Sequence, residues 1–200
     1  MVNPDHPATP PWTDKFSSGA NVEPLKPTVF QTDKLRATWR AWVEAETSGW
    51  SSFIFVTLNF KPHVLGDDGR VIRLSEAIAR KSVRWFGNRI DRKIHGNKVQ
   101  RFNTRVRRIP FLEHGSDRGW HCHIVMEKPS GMADIRFRGA VQEVWTDNEW
   151  CAGLPDARTA DSQLAGYLTK FRSKFEMEDW SDTIILEAVV ADAKYPTLPT

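Results

Sequence analysis

The chain has 200 residues, 40% apolar and 26% charged, which fits one globular domain with length left for a tail. Its longest apolar run, Phe53 to Leu58, is too short for a bilayer, no basic-then-apolar leader opens the chain, and two cysteines make no disulfide framework. No membrane role is therefore expected, and a reducing, cytoplasmic setting is the simplest expectation. The net charge of +3 hides an asymmetry. Arg70 to Arg108 holds thirteen Lys or Arg against only Glu76 and Asp91, whereas from Cys151 onward acids outnumber bases eight to five. Such a basic middle suits a polyanion partner, and a solvated helix face gives the same charge run.

Residues 1–33 carry six prolines among Ser, Thr and Gly without apolar periodicity, and are expected to form a flexible tail before a domain over 34–200. Lys34 to Glu46 sets Leu35, Trp39, Trp42 and Val43 on one helical stripe, with Asp33 as N-cap and Gly49 as terminator. Ser51 to Phe60 reads as a strand, with Ile54, Val56, Leu58 and Phe60 on one face and Phe53, Phe55, Thr57 and Asn59 on the other. A turn at Gly66 to Gly69 leads to a basic helix from Ser75 to about Ile94, contacting the core through Ile78, Val83, Trp85, Phe86 and Ile90.

Strands are expected over Arg105 to His114 and Trp120 to Lys128, joined by the hairpin signal GSDRG. Asp134 to Asp147 predicts a helix burying Phe137, Val141, Val144 and Trp145. A helix over Asp161 to Phe175 and a closing strand over Thr183 to Val190 complete an α+β arrangement.

Two groups of residues carry chemistry. His121 and His123 stand two apart on a strand and so share a face, while Cys122 takes the other. Paired imidazoles suit a divalent metal, although surface or core histidines give the same pattern. A short hairpin brings Glu113 level with them as a hard oxygen donor for Mg²⁺ or Mn²⁺, or leaves it as an edge-strand acid in solvent. On the expected last helix, Tyr167, Lys170 and Gln163 share one face. A phenol of pKa about 10 is a poor nucleophile at neutral pH, and a nearby cation favours its phenolate. A helix-surface tyrosine gives the same spacing.

The chain resembles the HUH endonucleases, and within them the rolling-circle replication initiators. That family carries an apolar first strand, a His-apolar-His strand and a YxxK helix, matched in order by Phe55 to Phe60, His121-Cys122-His123 and Tyr167-Leu168-Thr169-Lys170. A tyrosine placed after the histidines distinguishes this order from that of conjugative relaxases. Cys122 departs from the family's bulkier aliphatic, and the single motif tyrosine is similar to that of plasmid and small-virus initiators.

The resemblance implies a central antiparallel sheet with flanking helices, covering roughly residues 50–176. It also implies a metal held by His121, His123 and Glu113, with Gln163 nearby, and Tyr167 attacking a phosphate that Lys170 positions. The DNA partner is single-stranded or a hairpin at a replication origin. Arg84, Arg89, Arg92, Lys93, Arg105, Arg107 and Arg108 are the expected phosphate contacts, with Thr57 and Asn59 on the first strand. With no GxxxxGK[ST] loop, unwinding is left to a separate helicase and synthesis to a host polymerase. A single-tyrosine transposase, a non-catalytic single-strand-binding module and a metal-dependent hydrolase are the competing readings.

Overall fold

A computed structural model describes residues 37–38, 41–115, 119–159, 184–185 and 188–190. Residues 41–47 are helical (α1), followed by β1 (Phe53–Asn59), β2 (His63–Leu65), β3 (Val71–Arg73), α2 (Glu76–His95) and α3 (Lys98–Phe102). Then come β4 (Arg108–Gly115), β5 (Gly119–Glu127), α4 (Asp134–Thr146) and β6 (Asp156–Thr159). Ser75 caps α2 by accepting a hydrogen bond from the Ile78 N–H, and Gly96 closes it at φ 55°. Among the described residues no helix is long and apolar enough to cross a membrane.

The main sheet is antiparallel in the order β4-β5-β1-β6, and β2 and β3 form a separate hairpin. This is the α+β fold expected, a central antiparallel sheet flanked by helices. Because side chains alternate along a strand, each face has its own core. Ile54, Val56, Leu58, Leu112, Cys122, Ile124 and Met126 pack with Val83, Phe86 and Ile90 of α2 and with Phe137, Val141 and Trp145 of α4. The other face is smaller: Phe55, Ile109, Phe111 and Val125 pack with Trp42 and Val43 of α1, Trp50 and Ile184.

Several expectations change. The strand expected from Arg105 starts at Arg108, because the Val106 N–H donates to the Asp91 carboxylate at 2.9 Å instead of joining a ladder. The closing strand over 183–190 is not continuous where described. Ile184 bridges Phe111 and Val190 bridges Arg108 as isolated bridges, and between them the Ala188 N–H donates to the Ile185 carbonyl instead of joining a ladder. The strand β6 carries no alternating pattern to announce it, since only Ala157 of its residues is buried. The tail at 1–33, the Asp33 cap, Leu35, Trp39 and the helix at 161–175 lie outside the described residues.

Candidate metal centre

The β4–β5 register sets Glu113 opposite His121 and Phe111 opposite His123. All four point to the face away from α2 and α4, opposite to that of Leu112 and Cys122. One donor atom from each of Glu113, His121 and His123 lies within 4.8 Å of the others. The Glu113 Oε2 is 3.2 Å from the His121 Nε2 and 3.9 Å from the His123 Nε2. The two imidazoles stand edge to face at 84°, so their nitrogens converge without stacking.

Hydrogen bonds orient both rings. The His121 Nδ1 lies 3.1 Å from the Gly119 carbonyl oxygen, which only accepts, so Nδ1 carries the hydrogen. In the neutral ring, the Nε2 lone pair then faces the Glu113 carboxylate. Two lone-pair-bearing atoms at 3.2 Å repel unless a proton or a cation lies between them. Beside them the buried Glu113 Oε1 has no hydrogen-bond partner among the described residues. The Thr57 hydroxyl lies 3.0 Å from the His123 Nδ1, and the Phe55 ring packs at 5.4 Å from the His123 ring. A carboxylate and two pre-oriented imidazoles fit a divalent metal ion.

Cys122 points the other way, into the larger core, where burial first and the Glu113 charge second push its thiol pKa up. It takes no part in the cluster. Tyr167, Lys170 and Gln163 lie outside the described residues.

The basic residues divide into distinct groups. Arg108 is a correction: it is 4% exposed, and its guanidinium clasps the fully buried Asp91 at 2.7 and 3.1 Å, so it presents nothing to DNA. The guanidinium fits because residue 87 is glycine, where a Cβ would come within 2.8 Å of it. Arg105 also bonds Asp91, at 3.2 Å, and Arg107 pairs with Glu127 and lies over the Trp50 ring. Lys93 pairs with Glu143. Arg84, Arg89 and Arg92 are exposed along α2, on the side of the sheet opposite the metal-ligand cluster. Asn59 is exposed at the end of β1. Thr57, expected among DNA contacts, directs its hydroxyl to His123. Only the β1–β5 pairing reveals that role, and the sequence offers no direct signal for it.

No family model matches the chain, and no curated protein matches it. A solved structure with partial similarity is the N-terminal nuclease domain of non-structural protein-1 of minute virus of mice. That domain has a unique Zn²⁺ coordination in its active-site pocket and a novel mode of DNA recognition at the origin of replication. The two share 12% identity at a TM-score of 0.32, over 70% of this chain and 68% of that one. A likeness that distant assigns neither a site nor an activity to this chain.

Proposed function

We propose that this protein nicks and rejoins single-stranded DNA by metal-dependent transesterification, with Tyr167 as the nucleophile. The observation that carries the reading is the Glu113–His121–His123 cluster on a rigid strand pair, in a chain that later carries Tyr167 and Lys170 at YxxK spacing. A divalent cation there supplies Lewis-acid polarisation of the scissile phosphate. Two imidazole donors to one carboxylate favour Mn²⁺ over Mg²⁺.

The Tyr167 oxygen attacks phosphorus, the bond from phosphorus to the 3′ oxygen breaks, and that oxygen takes up the proton the phenol gives up. The 5′ phosphate stays on Tyr167 and a 3′-hydroxyl is released. Lys170 holds a phosphate oxygen and favours the phenolate. Gln163, four residues before Tyr167 in the sequence, is the proposed auxiliary group for the metal. Attack by a 3′-hydroxyl on the phosphotyrosyl bond reverses the step and reseals the strand without an external energy source. The released 3′-hydroxyl primes synthesis, so the biological role proposed is initiation of rolling-circle replication of a plasmid, phage or related element, with a separate helicase and host polymerase. The same chemistry serves a single-tyrosine transposase.

The test mixes the protein with labelled single-stranded oligonucleotides, hairpins included, in Mn²⁺ with and without chelator. A covalent adduct on a denaturing gel, lost with chelator, in Tyr167→Phe and in His121→Ala, is the expected result. Cleavage without an adduct, retained in Tyr167→Phe, would instead identify a metal-dependent hydrolase.

A further inference from the structure

A groove of about 520 Å³ opens on the outer side of α2, where α3 and the segment leading into β4 fold against it. The sheet lies between this groove and the metal-ligand cluster. Its lining includes Arg89, Arg92 and Arg105, with Trp85, Asn88 and Gln100, and no carboxylate among the described residues. The nearby acids do not cancel this charge. Asp91 is shared by Arg105 and Arg108, which leaves that trio one positive charge in excess, and Asp147 reaches Arg89 only at 3.8 Å between exposed groups. The Arg89 guanidinium lies over the Trp85 ring at 5.6 Å from its centroid, and Trp85 backs onto the larger core, so guanidinium and indole form one stacked surface that a base can lie against.

We infer that this groove binds an unpaired nucleotide of single-stranded nucleic acid, with its base against Trp85 and its phosphate between Arg89 and Arg92. The volume suits a small polar ligand. Arginines pair with phosphate oxygens, an indole offers a stacking surface, and the Asn88 and Gln100 amides are suited to base edges. A duplex keeps its base faces stacked inside and cannot use Trp85 in this way. Binding here needs no metal and no tyrosine chemistry, so it is measured apart from catalysis.

The experiment is fluorescence anisotropy of a labelled oligothymidylate with the full chain in chelator. The Arg92→Glu and milder Arg92→Gln proteins are compared with Arg136→Glu, which makes the same charge change on the exposed side of α4. Arg92→Glu is expected to weaken binding roughly ten-fold or more, Arg92→Gln less, and Arg136→Glu by no more than about three-fold. Chelator silences the metal-ligand cluster, so failure of the adduct assay would leave this comparison intact. Unchanged affinity in Arg92→Glu would overturn the inference. Equal losses in Arg92→Glu and Arg136→Glu would overturn it in favour of diffuse charge attraction, and equal affinity for a duplex of the same length would overturn it too.

Discussion

The Thr57 hydroxyl lies 3.0 Å from the His123 Nδ1, across a register that pairs these two residues on β1 and β5. For the Nε2 of His123 to ligate a metal, Nδ1 must carry the hydrogen and donate it to Thr57. Thr57→Val removes that acceptor at nearly constant volume. Mn²⁺ affinity measured by calorimetry should fall roughly 10- to 100-fold, with Thr57→Ser close to wild type. Unchanged affinity in Thr57→Val would show that the hydroxyl does not orient the ring.

Metal binding should also appear as stability. A ligand that binds only the folded state at about 100 times its dissociation constant adds about 2.7 kcal/mol. Mn²⁺ is therefore expected to raise the melting temperature of the wild type and to leave that of Glu113→Ala unchanged. A rise of the same size in both proteins would place the ion elsewhere.

Asp91 anchors Arg108 inside the fold, with side chains 0% and 5% exposed. Asp91→Ala leaves the guanidinium buried without its counter-charge, which should cost roughly 3–5 kcal/mol in urea unfolding. A loss below about 1 kcal/mol would mean that Arg108 escapes to solvent.

The two thiols differ in access. Cys122 is 0% exposed and its pKa is raised, whereas Cys151 is partly exposed. A thiol reagent should label one equivalent quickly and the second only on unfolding, and Cys151→Ser should abolish the fast phase. Fast labelling that survives in Cys151→Ser would show that the larger core opens readily.

The Asp134 carboxyl is held below its ordinary pKa by hydrogen bonds from Thr159 first and Lys128 second. A depressed carboxyl contributes stability above its unfolded pKa of about 3.9 and loses it as pH falls through the folded value. Wild-type stability should therefore drop more steeply below about pH 4 than that of Asp134→Asn. Identical slopes in acid titrations followed by circular dichroism would count against this link between α4 and β6.

The two-residue period makes both faces of β1 and β5 readable in the sequence, because Ile54, Val56 and Leu58 alternate with Phe55 and Thr57 in the same way that Cys122 alternates with the histidines. Hairpin length alone places Glu113 beside them. Strand order is not readable, since nothing local says that β5 lies beside β1, and Thr57 therefore gives no sign of its contact with His123. Arg108 looks like its basic neighbours because charge does not disclose burial. The available clue is Asp91, one of only two acids among thirteen bases, and an isolated acid in such a stretch is a candidate for an internal ion pair.

Thr159 ends β6 at one margin of the sheet, and Ile184 bridges β4 at the opposite margin. Tyr167 falls between these two residues in the sequence, and both belong to the sheet that carries Glu113 and His121. Under the proposed chemistry, a strand end captured on Tyr167 is therefore held by a segment flanked on both sides by residues of the sheet that released it.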